Sequence, residues 1–198
     1  MPVLATPSVA TAPRVVLFVG EATQDLGVLA HRIIGGRGGV ARGSLVSVAT
    51  EVLAQRAAPD AHGPPALVLA NPGQLFWWPD GRRALSPAAR HGVPLPSAVS
   101  QGVWFDPARN VIPGAESPDA HLREVFAKVL GPRMPADAKL TVIAVGDGAE
   151  SVPRFLNDEA NWARWGNRMQ SLALVGGFFD RKEIKVEDFR TFLREVSA

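Results

Sequence analysis

The sequence predicts an α/β fold of three layers, α/β/α, in which helices cover both faces of a mostly parallel sheet. Short apolar runs of five or six residues recur along the chain, and a Gly or Asn-Pro-Gly turn ends each of them. Amphipathic helical stripes separate these runs, which is the alternation expected for parallel strands joined by helices. The four predicted strands are Arg14–Val19, Ala66–Ala70, Leu140–Val145 and Ser171–Val175.

The composition excludes several classes of protein. Hydrophobic residues make up 46% of the 198 positions, which suffices for one domain with a full core, and no apolar run is long enough to span a bilayer. A net charge of +2 is too small for a nucleic-acid footprint, so we expect no direct nucleic-acid partner and no membrane insertion. The chain has no cysteine, which excludes disulfides and thiolate metal sites. We therefore expect an intracellular protein, in the nucleus or cytoplasm, without a metal or cofactor.

The first residues lack the features of a targeting signal. The segment 1–13 has neither a basic start nor a continuous apolar stretch, and it contains three prolines. This composition predicts a disordered N-terminal tail, followed by a single domain over residues 14–198.

Four helices are predicted between and after the strands. In Ser44–Arg56 the apolar residues recur at helical spacing, and Ser44 is a good N-cap. Ser117-Pro118 is a helix start, and Gly131-Pro132 should stop that helix. A further helix follows the third strand and runs through about Asn157, and Val186–Val196 closes the chain as the last one.

A glycine run, Gly35–Gly39, precedes the first of these helices. It could form an anion-binding nest, but the lysine of a phosphate-binding loop is missing. A flexible loop is the favoured interpretation.

A long irregular stretch, Gln74–Glu116, is rich in Pro, Gly and Arg. Stretches of this length inside a domain are often binding loops or lids. Trp77 and Trp78 lie close to Arg82 and Arg83, and Trp and Arg are enriched at binding hot spots. These four residues are candidates for a partner-binding surface, although the same side chains could instead anchor the stretch to its own domain.

The turn after the third strand is the most informative motif. Gly146-Asp147-Gly148-Ala149-Glu150 follows Val145 at once and leads into a predicted helix. In α/β-hydrolases this strand–turn–helix corner carries the nucleophilic serine at its centre. Here the central residue is Gly148, which has no side chain to attack a substrate.

The histidines are also in the wrong place for hydrolase chemistry. A serine hydrolase of this fold places its histidine after the nucleophile, but all four histidines, His31, His62, His91 and His121, precede Gly148. Ser151 is a possible stray nucleophile, but a role in the first helical turn is favoured. His31 and His121 lie at the edges of helical stripes, which is typical of structural histidines.

Several short motifs resemble those of fungal proteins with the Argonaute-binding-protein-two domain. They occur in order between about residues 14 and 177, so the resemblance covers most of the chain. The motifs are Phe18–Gly27, Ala70–Trp77, Ser97-Ala98-Val99, Asp106-Pro107, Val111–Gly114 and Gly146–Ala149.

This resemblance implies an α/β-hydrolase-like fold that often lacks hydrolytic residues. The family domain occurs in a subunit of the Argonaute siRNA chaperone complex and at the C-terminus of class II histone deacetylases. The resemblance also implies a role in heterochromatin silencing, with histones, a deacetylase or an Argonaute complex as partners. It allows for a homodimer as well. The family domain usually continues past the last predicted helix, so the last strands of the sheet are expected to be missing.

A fold of this type would bring two loops together at the carboxyl ends of neighbouring strands, where open α/β sheets bind ligands. The expected ligand site comprises Gly20, Glu21, Gln24, Asp25, Gly146, Asp147, Gly148 and Ala149. Free N–H groups at Gly148 and Ala149 would suit an anion or a carboxylate. Alternatively, Asp25 and Asp147 merely cap local turns and satisfy backbone donors.

Two functions remain open from the sequence. The first is a non-catalytic interaction domain that serves chromatin or small-RNA machinery. The second is a hydrolase or small-ligand receptor with a non-standard site at Asp147 or Ser151, for which the missing downstream histidine is an obstacle.

Overall fold

A five-stranded sheet forms the centre of the computed structural model, which describes residues 3–56, 63–94, 97, 99 and 104–195. The strand order is β1-β3-β2-β6-β7, in which β2, β3, β6 and β7 are parallel and only β1 is antiparallel. The predicted α/β class with a mostly parallel sheet is therefore confirmed. The strands are β1 Val3–Ala5, β2 Arg14–Val19, β3 Ala66–Ala70, β6 Lys139–Val145 and β7 Met169–Val175.

The central strands alternate between two hydrophobic layers. On β2, Val15, Leu17 and Val19 belong to the main core, whereas Val16 packs on the opposite face with Val52. Because β2 lies between β3 and β6, all but its first residue are buried, as its continuous apolar run predicts.

Ten α-helices are present in the described part of the chain. Helix α3 packs on one face of the sheet, whereas α6, α8, α9 and α10 contribute to the main core. The helices are α1 His31–Ile34, α2 Gly39–Gly43, α3 Leu45–Ala54, α4 Pro87–His91, α5 Pro107–Asn110, α6 Pro118–Glu124, α7 Gly131–Arg133, α8 Gly148–Leu156, α9 Glu159–Trp165 and α10 Glu187–Glu195.

The prediction of a disordered N-terminal tail over residues 1–13 is wrong for residues 3–13, the part that the structure describes. Strand β1 pairs with β3, and the side chain of Val9 is completely buried in the main core. Thr6 joins this segment to β3, because its N–H donates to the carbonyl of Leu67 (2.9 Å) and its Oγ1 accepts from the N–H of Leu67 (3.0 Å). A three-residue edge strand has too few residues to show an alternating pattern, so the sequence did not reveal it.

Two helical predictions need correction. Trp162 and Trp165, expected in a connecting segment, lie in α9, which begins after the N-cap Asp158. The helix from Pro118 does not stop at Gly131-Pro132 but continues through a π-helical segment, Val125–Leu130, into α7. Since a proline cannot donate to the carbonyl four residues earlier and its ring crowds that carbonyl, a widened turn lets the helix pass Pro132.

Residues 35–38 of the glycine run form the turn between α1 and α2, and Gly39 begins α2. A side chain at Gly38 would lie 2.6 Å from the Ile33 side chain, and Gly39 has a left-handed backbone (φ +59°). Gly38 is therefore needed for the close packing of the two short helices, and Gly39 for the left-handed turn into α2.

The described residues of the long stretch after β3 (74–94, 97, 99 and 104–116) form a small lobe, which we call the hairpin lobe. Its hairpin consists of β4 Phe76–Trp78 and β5 Arg83–Leu85, flanked by α4 and α5. A separate hydrophobic cluster of Phe76, Leu85 and Val93 stabilises it. Within the sequence motif Ser97-Ala98-Val99, Ala98 lies outside the described residues.

Candidate functional site

Three loops meet at the carboxyl ends of the central strands. They are Gly20–Gly27 after β2, Asn71–Gln74 after β3 and Gly146–Ala149 after β6, and we call this place the loop junction. The predicted ligand residues therefore lie at one edge of the sheet.

Gly148, the position of the hydrolase nucleophile, is packed against backbone. A Cβ atom at Gly148 would lie 2.6 Å from the carbonyl oxygen of Val19 and 2.9 Å from that of Gly20. Both obstacles belong to the main chain at the end of a buried strand, so they cannot swing aside. Position 148 therefore has no nucleophilic side chain and no space for one.

The backbone of the corner also differs from that of a nucleophile elbow. The residue with a left-handed backbone is Gly146 (φ +57°), two positions before the centre of the motif. Gly148 is the first residue of α8. A side chain at Gly146 would collide with the carboxyl group of Glu21, because its Cβ would lie 2.0 Å from Glu21 Oε1.

Asp147 connects two of the loops. Its Oδ2 accepts a hydrogen bond of 2.9 Å from the backbone N–H of Ala22, and its side chain makes no capping bond to α8. The Asp147 side chain therefore does not cap its own helix, but it satisfies a backbone donor of the neighbouring loop. A carboxylate that joins Gly146–Ala149 to Gly20–Gly27 fixes the two loops relative to each other.

Asp25 makes a second connection between loops. Its Oδ1 accepts from Nε2 of Gln74 (3.2 Å), and Oε1 of Gln74 accepts from Nδ2 of Asn71 (3.0 Å). The Oδ1 of the buried Asn71 accepts from the N–H of Gly73 (2.9 Å). Asn71, Gly73 and Gln74 were not predicted as site residues, although their position directly after a buried strand was a usable signal.

The junction is crowded around Gly73. A Cβ atom there would lie 2.2 Å from the carbonyl oxygen of Gln24 and 2.8 Å from that of Glu21. The Oε1 atom of Gln24 is buried, and no described residue forms a hydrogen bond with it. This oxygen of Gln24 is therefore left unsatisfied in the described part of the junction.

Glu21 is a residue of the loop junction whose pKa is shifted from its ordinary value. Partial burial raises the pKa of its carboxyl group, and both the charge of Asp147 and a hydrogen bond between the two carboxyl groups raise this pKa further. A hydrogen bond from Thr23 lowers it in part. Two facing carboxyl groups make the junction unfavourable for a bound anion.

The expected anion site also lacks one of its donors. The N–H of Ala149 donates to the carbonyl of Gly146 at 2.9 Å, so it does not point freely into a pocket. The anion or carboxylate ligand inferred from the sequence is therefore not supported by the geometry.

Ser151 and His121 do not form a catalytic pair. Ser151 is buried in the first turn of α8, where its N–H donates to the carbonyl of Asp147 (2.9 Å). His121 is fully buried on α6, and neither ring nitrogen has a hydrogen-bond partner within the described structure. Burial lowers the pKa of His121 to about 4, so the imidazole is neutral at physiological pH.

The hairpin lobe presents the four predicted partner-binding residues in different settings. Trp78 packs on the turn, because a Cβ at Gly81 would lie 2.1 Å from its ring, and the guanidinium of Arg83 lies 5.5 Å from the ring centre. Trp77 is partly exposed, and its carbonyl accepts from Nδ2 of Asn110 (2.8 Å). Arg82 has a left-handed backbone (φ +48°), which is uncommon for a residue with a side chain.

Trp104 and Phe105 are further aromatic residues of this lobe and were not predicted as partner-binding residues. Trp104 is 71% exposed and Phe105 is 52% exposed. The Phe105 ring lies 6.3 Å from that of Phe76, so this pair is adjacent to the hairpin. Exposed aromatic side chains of this size are a recognised feature of interaction surfaces.

Among the described residues, no group of three His, Cys, Asp or Glu side chains could hold a metal ion. In the same part of the chain, no helix combines the length and apolar character needed to cross a bilayer.

Comparison with known proteins identifies the family. The model of the Arb2 domain family matches residues 1–198, which is the whole chain. No curated protein and no solved structure is significantly similar to it. The resemblance to the Argonaute-binding-protein-two domain is confirmed, and the chain belongs to the Arb2 domain family.

Proposed function

We propose that this chain is a non-catalytic, α/β-hydrolase-like interaction domain of silencing machinery. The observation that carries the proposal is the packing at Gly148, where a side chain would collide with the carbonyl oxygens of Val19 and Gly20. That packing removes the nucleophile position of the hydrolase triad.

The hydrogen bonds of the loop junction support a structural role for its polar groups. Asp147 and Asp25 each accept a hydrogen bond from another loop, at Ala22 and Gln74 respectively. Carboxylates that are engaged in this way hold the loops in place and are not free to bind a substrate.

The hairpin lobe is the surface that we assign to protein partners. It combines exposed aromatic side chains with exposed arginines, the residue types that contribute most binding energy at interfaces. The residues are Trp77, Arg82, Arg83, Trp104 and Phe105, whereas Trp78 mainly supports the turn. Family membership makes histones, a histone deacetylase or an Argonaute complex the first partners to test, in the nucleus or cytoplasm, with a homodimer as a further possibility.

Affinity purification of the tagged protein from its native cells, followed by mass spectrometry, tests this proposal. We expect histones, a deacetylase or Argonaute among the proteins recovered with the wild-type chain, and their loss from the Trp104→Ala variant. Arg133→Ala, an exposed change outside the lobe, serves as the matched control. Recovery of a bare monomer would contradict the proposal.

One observation favours a second candidate, a hydrolase or small-ligand receptor at Asp147. Glu21 and Asp147 form a carboxyl pair in which the pKa of Glu21 is raised, and perturbed carboxyl groups are common in active sites. Asp147→Asn separates the two functions, because an enzyme should lose turnover, whereas an interaction domain should keep its partners.

A further inference from the structure

Two arginine side chains lie against the same buried aromatic ring, on elements that belong to neither the loop junction nor the hairpin lobe. The guanidinium carbon of Arg164 is 5.5 Å and that of Arg168 is 5.0 Å from the centre of the buried Trp165 ring. Trp165 ends α9, and a 3₁₀ turn, Gly166–Arg168, follows directly. Because Arg164 and Arg168 are four residues apart on this continuous helical stretch, their side chains lie on the same side of it. We call them the arginine pair.

The segment Gly131–Pro135 holds both guanidinium groups in place. Nη2 of Arg168 donates to the carbonyl oxygens of Pro135 (2.6 Å) and of the residue before it (3.4 Å). Nη2 of Arg164 lies close to Gly131, since a Cβ atom at Gly131 would be 2.8 Å from it. The two groups are therefore positioned beside each other before a ligand binds, which lowers the entropic cost of binding.

The arginine pair has no carboxylate within salt-bridge distance among the described residues. Partial burial lowers the pKa of Arg168, the charge of Arg164 lowers this pKa further, and the charge of Asp137 raises it in part. The Nε atom of Arg168 is also buried, and no described residue accepts a hydrogen bond from it. Two like charges at this spacing repel each other, so an anion between them would stabilise both.

The other charged residues of these elements leave the surroundings of the pair cationic. Asp158 caps the first turn of α9, and Glu159 lies five residues before Arg164, about 140° around the helix axis from it. Lys139 contributes a third cation, because its Nζ donates to the carbonyl oxygen of the residue before Arg168 (3.0 Å).

We propose that the arginine pair binds the phosphoryl group of a phosphorylated serine or threonine on a protein partner. Such a group carries about two negative charges and three acceptor oxygens at neutral pH, whereas a carboxylate has a single charge and fewer oxygens. Two guanidinium forks match the phosphoryl group in charge and in the geometry of their donors. The proposal goes beyond the proposed function, because it assigns a ligand to a surface outside the hairpin lobe.

Exposure and charge favour a protein over other carriers of phosphate. Arg164 is exposed, so a ligand bound to it stays largely open to solvent, whereas small molecules bind in enclosed pockets. Nucleic acid requires an extended basic face, but Asp137, Asp158 and Glu159 lie on the elements around the pair. A phosphorylated peptide needs only the local pair and gains its remaining contacts from the residues that flank its phosphate.

Retention of a phosphopeptide library on the immobilised full chain tests the proposal. The probe is a set of short peptides with a fixed central phosphoserine and random flanking positions. Two comparison sets have serine or glutamate at the central position. We expect the chain to retain the phosphoserine set at least roughly tenfold more strongly than either comparison set, and phosphatase treatment to abolish this difference.

Variants of the exposed Arg164 assign the binding to the pair. In fluorescence anisotropy with the most strongly retained phosphopeptide, Arg164→Glu should weaken binding at least roughly tenfold. Arg164→Lys keeps the charge but loses the planar fork, so it should weaken binding by a smaller factor. Arg181→Glu makes the same charge change at an exposed residue of another element and should leave the affinity unchanged. Circular dichroism verifies that each variant is folded.

Three results would overturn the proposal. The first is a phosphoserine set that is not retained, or is retained no better than the serine or glutamate set. The second is a phosphopeptide affinity that Arg164→Glu does not change. The third is binding of a labelled single-stranded RNA or DNA oligonucleotide that is tighter than that of the phosphopeptide and is lost in Arg164→Glu, which would assign the pair to nucleic acid.

Discussion

Asp147 accepts a hydrogen bond of 2.9 Å from the backbone N–H of Ala22, although the two residues are 125 positions apart in the chain. This bond joins the turn after β6 to the loop after β2 at the place where an α/β-hydrolase would position its nucleophile and its oxyanion donors. In this protein the corner connects two loops, and its stability can be tested directly.

Asp147→Ala should lower the free energy of unfolding by about 1.5–3 kcal/mol, because it removes a charged acceptor and leaves the N–H of Ala22 unsatisfied. Asp147→Asn keeps an acceptor oxygen and should lose less. Urea denaturation of the three proteins provides the measurement. Equal stability of Asp147→Ala and the wild type would show that the bond does not hold the loops.

Gly148→Ala should be destabilising by about 1–3 kcal/mol or more, because the added methyl group meets two carbonyl oxygens. Gly35→Ala is the matched control, since the nearest atom to its new Cβ is 3.9 Å away. Gly148→Ser should likewise be destabilised and should not hydrolyse p-nitrophenyl acetate. A stable, ester-cleaving Gly148→Ser protein would contradict the description of the corner.

The raised pKa of Glu21 predicts the direction in which the free energy of unfolding changes with pH. The folded state binds this proton more tightly than the unfolded state, so the stabilisation from protonation is present at low pH and is lost as the pH rises above the ordinary glutamate value. Glu21→Gln, which cannot ionise, should therefore gain stability relative to the wild type between pH 4.5 and 7. Chemical denaturation across this range measures the difference, and a constant difference would argue against the carboxyl pair.

The lowered pKa of His121 predicts the opposite change, a free energy of unfolding that falls as the pH falls. Its pKa is lowered from 6.5 to about 4 in the folded state, so the unfolded chain binds the proton first as the pH falls. The free energy of unfolding should decrease by roughly 3 kcal/mol between pH 6.5 and 4 from this group. His121→Leu should remove this dependence because leucine does not titrate, and it should still fold because neither ring nitrogen has a partner to lose among the described residues. If the variant and the wild type lose stability in parallel, the buried imidazole is not responsible.

Arg82→Gly should stabilise the hairpin lobe by roughly 1 kcal/mol, because a glycine adopts the left-handed backbone at this position without strain. Arg82→Ala is the control, since it removes the same side chain but keeps the strained Cβ. Thermal unfolding of both variants separates the backbone effect from that of the charge. A variant pair with identical stability would indicate that the turn is not strained.

The sequence predicted the central strands best. Arg14–Val19 and Ala66–Ala70 were predicted with the bounds that the structure has, because each is a buried apolar run between turn-forming residues. The hairpin strands β4 and β5 have three residues each, which is too short for a periodic signal. The tryptophans of α9 were misjudged because charged residues interrupt that short helix.

The position of the loop junction was also predictable, since the carboxyl ends of adjacent parallel strands meet at one edge of a sheet. The chemistry of the loop junction, in contrast, was not predictable from the sequence. The direction of the Asp147 side chain and the contact of Gly148 with Val19 depend on the register between β2 and β6, where Val19 pairs with Ala144. No local pattern in the sequence determines that register, and so an anion site was expected where two carboxyl groups face each other.

Parallel affinity purifications of the wild type, Asp147→Asn and a Trp104→Ala, Arg83→Ala double variant test whether the hairpin lobe binds the partners. We expect Asp147→Asn to recover the same proteins as the wild type, whereas the double variant loses them although it remains folded. Loss of these proteins by Asp147→Asn, with full recovery by the double variant, would contradict a partner surface on the hairpin lobe and would place the function at the loop junction.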